Sequence, residues 1–425
     1  MNKTMEDKKG VNRGLAVFVA LWSVILGTQN LYFSQTSSNS IIILKTIADK
    51  ILSEQSYSFV DTETGKRYTN LERVKSFEEI NLVSQYANWR YENGVLNIAM
   101  LRLSELLKDN RYGNFTFDNI EFIFQNKNYF INKPKNKSKW EYPFGQFFAL
   151  EQLDDCGSMG ASLIDVYQKK KNDKYFEYLL KAGNHILNIQ HRLKDGTLCR
   201  LEPVEKTVWA DDLFMSVPFL ARMGELTGEK KYFDDAVKQV IQFYKYLWDT
   251  KTELYFHGWY SNEKVNGVAH WGRANGWVIV AQVELLKILP NDHPKRNELI
   301  KILKQQIDGV ARYQSQSGLW HQLLDKNDSY LETSCTAMFT YGIAAAVNEG
   351  WIPEHNISIA QNGWEGLKSK ITGIGQVKDI CVGTGIEKDL GYYYNRPTKL
   401  QDIHGLGAVI LAGTEIVKYE KNKNK

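Results

Sequence analysis

Cysteine and proline are both sparse in this chain, with four and eight residues among 425. Cys156, Cys199, Cys335 and Cys381 stand far apart, with no C-x-x-C and no Cys/His spacing suited to zinc. They read as small core residues, and neither a metal nor a cofactor is expected. No Pro/Gly/Ser-rich linker follows residue 40, which favours one domain over two. The formal net charge of +4 comes from scattered Lys and Arg without a basic block, which argues against nucleic acid as a partner. Signatures of a nucleotide phosphate loop, a serine hydrolase elbow and a zinc protease are absent. Long apolar runs are missing as well. Leu15 to Leu26 is too short to cross a bilayer, which takes about 20 residues. It follows Lys3, Lys8, Lys9 and Arg13, the charged-then-apolar order of a secretory signal. The expected division is a signal peptide or anchor over 1–27, a leader over 28–45 and a single domain over 46–425. The expected location is periplasmic or secreted, with no stable membrane association unless the signal stays uncleaved.

Aromatic residues are plentiful at 12%, and many adjoin Gly, His, Asp or Asn instead of lying in clean apolar stripes, a composition suited to sugars. The chain also repeats itself. Asp154 to Leu187 and Asp211 to Tyr244 align without a gap, so that the doublets Asp154-Asp155 and Asp211-Asp212 share the 57-residue offset of Tyr175 and Tyr232. Apolar residues inside each unit recur at helical spacing around a short polar break, the pattern of a helical hairpin. Similar openings lie near Trp89-Arg90-Tyr91, Asn275-Gly276-Trp277, Ser334-Cys335-Thr336 and His404-Gly405, making six. Six hairpins closing on themselves predict an all-α fold, the (α/α)6 toroid, with an open superhelix as the alternative. Asn110 to Lys139 and Gly373 to Lys399 read as loops or short strands over one face of the ring.

The starts of inner helices gather on one rim of such a ring, so unusual side chains at those starts converge. A single Asp there is most simply an N-cap. A doublet exceeds that need, because only one carboxylate can cap, and Val208 to Met215 embeds its acids among apolar and aromatic residues that would raise a carboxyl pKa. The run from His270 to Trp277, HWGRANGW, spends two glycines where a helix begins and crowds two tryptophans around Arg273. Arg273 can grip a carboxylate bidentately, or it can simply neutralise a structural acid. His257, in YFHGW, could donate to a bound oxygen or carry a proton. His321, in SGLWHQ, has a similar setting and ranks below it.

The ordered motifs W-x-D-D-L-F-M (Trp209 to Met215), W-G-R-A-N-G-W (Trp271 to Trp277), S-G-L-W-H-Q (Ser317 to Gln322) and L-E-T-S-C-T-A-M-F (Leu331 to Phe339) resemble the unsaturated rhamnogalacturonyl hydrolases of glycoside hydrolase family 105, relatives of the family 88 unsaturated glucuronyl hydrolases. The resemblance runs from about Tyr86 to Glu415. It implies an (α/α)6 barrel that removes a 4,5-unsaturated uronic acid from the non-reducing end of lyase-made oligosaccharides, derived from rhamnogalacturonan or ulvan, by hydrating the C4=C5 bond. Asp211 then falls on the acid/base position, and Asp155 on the supporting aspartate because Gly160 follows at the family's spacing, whereas the internal repeat pairs Asp211 with Asp154. Tyr91, Trp209, His257, Trp271, Arg273 and Trp277 fall on substrate-binding positions, with Arg273 on the uronate carboxylate or a ring hydroxyl. A polysaccharide lyase or sugar epimerase on the same ring, or a non-catalytic sugar-binding protein, are the rival readings.

Overall fold

The computed structural model describes residues 38–74, 79–131 and 137–423; the expected signal over 1–27 lies outside them. In chain order the helices are α1 (38–54), α2 (Tyr91–Leu107), α3 (Asn110–Asn126), a short α4 (Gly145–Ala149), α5 (Gly157–Lys169), α6 (Asp173–Asn184) and α7 (Asp211–Thr227). They continue with α8 (Lys230–Leu247), α9 (Gly272–Ile288), α10 (Arg296–Ala311), α11 (Thr333–Asn348), α12 (Ile357–Ser369), a short α13 (Leu390–Tyr394) and α14 (Ile403–Lys423). Helices buried on every side, such as α9 from Gly272 to Leu286 and α11 from Thr333 to Val347, alternate with amphipathic ones such as α8. That alternation assigns the first kind to an inner layer and the second to an outer one.

The inner layer closes. α2 packs on α5, α5 on α7, α7 on α9, α9 on α11, α11 on α14, and α14 back on α2. This is the (α/α)6 ring, and each of the six expected openings marks the start of an inner helix. Close approach between inner helices uses glycine where a Cβ has no room: at Gly157 it would lie 1.6 Å from the Met215 carbonyl oxygen of α7.

Two expectations need correction. Asn110–Asn126 is no loop; it is α3, the outer helix of the first hairpin. Nor does the leader run to 45. Helix begins by residue 38 and buries Ser40, Leu44, Ile47, Ala48 and Ile51 along one face. Ser40 Oγ accepts from Trp364 Nε1 of α12 at 3.0 Å, and Gly413 of α14 makes room for Leu44. α1 therefore packs as an outer helix against α12 and α14.

In the C-terminal halves of the inner helices, all six contribute to one buried polar network. Glu284 of α9 accepts from Arg102 of α2 (2.6 Å) and Arg222 of α7 (2.8 Å), and pairs with the Tyr341 hydroxyl of α11. Arg222 also reaches Asp165 of α5 at 2.9 Å, and Lys287 of α9 reaches Glu415 of α14 at 2.6 Å. The opposite end, where the inner helices start, carries the connecting loops with their two- and three-residue strands.

Candidate active site

The two doublets enter their helices differently. Asp154 and Asp155 end a single 3-10 turn, Leu153–Asp155, ahead of α5, whereas Asp211 and Asp212 are the first residues of α7. Neither Asp154 nor Asp211 is an N-cap. The capping carboxylate is Asp155, whose Oδ2 accepts from the backbone N–H groups of Glu151 (2.8 Å) and Gln152 (3.0 Å) and from Lys139 Nζ (2.9 Å), while Oδ1 takes Gln146 Nε2 at 3.1 Å. Its side chain is fully buried and every bond points into the 139–152 loop. Asp155 thus staples that loop and does not enter the site. The expected supporting residue Asp155 is bonded into the loop, and it is Asp154, the partner of Asp211 in the internal repeat, that meets Arg200.

Asp154 faces the site through Arg200. That guanidinium bonds both Asp154 oxygens (3.1 and 3.2 Å) and holds Asp212 through Nε at 3.0 Å and Nη2 at 2.5 Å. It also lies 4.2 Å from the Trp209 ring centroid. Burial raises both carboxyls and Arg200 draws them down; one guanidinium shared by two acids leaves both raised, Asp212 to about 6.

Asp211 goes the other way. Burial raises its carboxyl, but His257 outweighs burial by charge and hydrogen bond, with Arg200 and Arg273 adding to it, and holds the group below its ordinary value. Strand pairing creates the contact: Thr207–Trp209 runs antiparallel to Gly258–Tyr260, with Trp209 opposite Gly258, and the Ala210 N–H donates to the His257 carbonyl. His257 then meets Asp211 Oδ2 through Nε2 at 2.9 Å and the Tyr393 hydroxyl through Nδ1 at 2.9 Å. The Glu387 N–H also donates to that hydroxyl, at 3.1 Å, which fixes Tyr393 against the imidazole. Gln322 of the SGLWHQ motif fixes the same loop, donating to the Tyr393 carbonyl at 2.8 Å.

The remaining expected residues build walls. Trp271 packs on His257 at 4.7 Å and Trp277 stacks on Phe214 at 4.6 Å, with Tyr91 edge-on at 6.4 Å. Both tryptophans are almost wholly buried, so neither offers a sugar an open face. Arg273 lies against Trp271 and donates to the carbonyls of Cys381 (2.5 Å) and Val382 (2.6 Å), as well as to Ser334 Oγ at 3.3 Å. The bidentate grip expected for a uronate is spent on backbone. Glu332 secures the same strand, capping α11 through the Ser334 and Cys335 N–H groups and accepting from the Cys381 N–H, which explains the LETSC motif. His321 is tied to the Ser329 carbonyl, a turn contact away from the aspartates. Tyr91, half-buried, completes the rim beside His404 at 5.7 Å. Sequence reasoning missed Arg200 and Tyr393. Both sit in aperiodic, turn-rich segments, where no helical spacing marks a side chain as inward.

Comparison with known proteins separates the rival readings of this ring. The family model described as Glycosyl Hydrolase Family 88 matches residues 60–420. The chain belongs to glycosyl hydrolase family 88. As a family 88 member it is a glycoside hydrolase. It is 28% identical over 271 residues, 62% of this chain and 77% of the relative, to the unsaturated rhamnogalacturonyl hydrolase YesR of Bacillus subtilis. It is 29% identical over 221 residues, 50% of this chain and 52% of the relative, to an unsaturated 3S-rhamnoglycuronyl hydrolase of an Alteromonas species. Its fold matches the crystal structure of a possible GH105 member from Salmonella enterica with a TM-score of 0.73 at 23% identity, covering 90% of this chain and 94% of the other. Among the described residues no cluster of His, Cys, Asp or Glu could hold a metal, and no helix is long and apolar enough to cross a membrane.

Proposed function

We propose that this family 88 hydrolase removes a 4,5-unsaturated uronic acid from the non-reducing end of oligosaccharides in which that sugar is linked to rhamnose. The names of its relatives support the substrate class, since both act on rhamnose-containing unsaturated uronides. The observation that carries the chemistry is the Asp211–His257 hydrogen bond set beside the Asp154–Arg200–Asp212 cluster. Hydration of the enol ether needs one group that gives a proton to C4 and then takes one from the water attacking C5. The resulting C5 hemiketal opens, which makes C1 a hemiacetal, and that hemiacetal expels the second sugar as an alcohol. Asp211 fits the acid/base part in concert with His257. The free carboxyl is held low, but an incoming uronate carboxylate brings a like charge that raises its proton affinity, and Nε2 of His257 lies one hydrogen bond away. Asp154 takes the supporting place beside it.

The test follows the ultraviolet absorbance of the conjugated enoate in an unsaturated uronyl-rhamnose disaccharide. The parent enzyme should erase it, and Asp211→Asn should lose turnover by about 10²–10⁴-fold while still binding the disaccharide. Equal rates in parent and variant would remove Asp211 from the mechanism, and no loss of absorbance in the parent would overturn the substrate class.

A further inference from the structure

A cavity opens on the same rim, one hairpin away from the aspartates. Its volume is about 370 Å³, within the range of small-molecule sites of about 300–1,000 Å³, and it lies between the start of α2, the 81–88 segment and the 140–143 loop. Three observations mark it as built for a ligand. Trp140 is 39% exposed although its backbone is fixed, since the Arg90 guanidinium donates to its carbonyl at 2.7 Å and lies 5.3 Å from its ring centroid. Glu92, whose side chain is only 7% exposed, lines the cavity, and its buried Oε2 has no hydrogen-bond partner among the described residues. The rest of the lining is rich in amides and hydroxyls, with Asn81, Ser84, Gln85 and Asn93 among them. An unmet buried acceptor calls for a donor, and a hydroxyl supplies one without charge.

The cavity also adjoins the candidate active site. Glu92 Oε1 is 3.9 Å from His404 Nε2, His404 abuts Tyr91 at 5.7 Å, and the Tyr91 hydroxyl lies within reach of the charges of Asp154 and Asp211. We propose that this cavity is the subsite for the sugar on the leaving-group side of the scissile bond, and that it selects a neutral, hydroxyl-rich ring over a sulfated one. The proposal rests on the unsaturated uronyl hydrolase reading. A sugar ring covers the exposed indole of Trp140 and one of its hydroxyls donates to Glu92. Sulfate is disfavoured because the lining holds one cation, Arg90, against two carboxylates, Glu92 and Glu141, and the Arg90 guanidinium is already committed to Trp140.

Three substrates test it by the same absorbance assay: the unsaturated uronate as its methyl glycoside, linked to a neutral hexose, and linked to that hexose bearing a sulfate. The native enzyme should favour the neutral disaccharide over both others by tenfold or more in kcat/KM. Trp140→Ala should collapse the preference over the methyl glycoside to within about threefold, and Trp140→Phe should restore most of it. Glu92→Gln should raise KM for the neutral disaccharide. Turnover of these substrates with the preference intact in Trp140→Ala overturns the subsite alone, and a native preference for the sulfated disaccharide overturns its neutral selectivity. No loss of absorbance with any of the three overturns the hydrolase reading, and the subsite with it.

Discussion

The bonds made by Asp155 and Asp154 predict opposite consequences for the same substitution. Asp155 is the buried carboxylate against Lys139, and Asn in its place leaves an ammonium that is 11% exposed with only the exposed Glu151, at 3.5 Å, as a charged partner among the described residues. Breaking a buried pair from one side costs on the order of 3 kcal/mol. Asp155→Asn should therefore lower the melting temperature by several degrees while sparing kcat of the molecules that stay folded. Asp154→Asn leaves Arg200 its bonds to Asp212 and should spare the melting temperature while lowering kcat by about tenfold or more. Thermal denaturation and steady-state turnover on both variants check this, and a reversed pattern would restore Asp155 to the site. The cause is local geometry: the 3-10 turn aims consecutive side chains in different directions, so one meets the loop and the other Arg200.

Among the elements, α1 and the 380–399 segment show how far from the motifs the supports of a site can lie. Leu44 and Ser40 face Trp364 and Gly413, at the seam where α12 and α14 meet. A chain beginning at residue 46 lacks the first turns of α1 and loses the fully buried Leu44, whose truncation to Ala alone would cost about 2–5 kcal/mol. That chain should melt well below one beginning at residue 38, by calorimetry, and equal melting temperatures would show α1 to be dispensable before 46. The amphipathic face of α1 is visible in the spacing of Leu44, Ile47, Ala48 and Ile51. Its partner is not, because the two ends of the chain meet only when the ring closes. The 380–399 segment is harder still to read: Tyr393 acts through a short helix of five residues, too brief to carry a periodic signal.

At the scale of the whole ring, the two ends divide the work. The rim where inner helices begin holds the aspartates, and the far half is closed by the network around Glu284. Burial raises the Glu284 carboxyl, but Arg102 and Arg222 overcome it and hold the group well below its ordinary value. A depressed carboxyl contributes stability that is present above its unfolded pKa, near 4.5, and is lost as pH falls through the folded value. The native chain should therefore lose stability progressively below about pH 4.5. Glu284→Gln, which leaves Arg222 with Asp165 and Arg102 with the Tyr341 hydroxyl, should be on the order of 3 kcal/mol less stable at pH 7 and show a flatter acid dependence. Chemical denaturation across a pH series measures both, and an unchanged acid slope would sink this account of Glu284. Among the described residues no hydrogen bond or ion pair joins Glu284 to the aspartate doublets, so turnover per folded molecule should change little.

The 57-residue repeat, the helical spacing and the glycine-bearing openings by themselves determined the ring, its six inner helices and the rim on which the acids gather, because period and register are properties of adjacent residues. Tertiary structure alone decided that Asp155 is bonded into the 139–152 loop, that Arg200 stands between Asp154 and Asp212, that Tyr393 and His257 are linked to Asp211, and that α1 packs against α12 and α14. Each of those depends on the direction of one side chain, or on segments far apart in the chain, and neither leaves a trace in local spacing. The doublets were legible as a site, but the proton distribution within them was not: burial pointed to Asp211 as the raised acid, while His257 beside it and Arg200 across from it placed the raised carboxyls on Asp154 and Asp212.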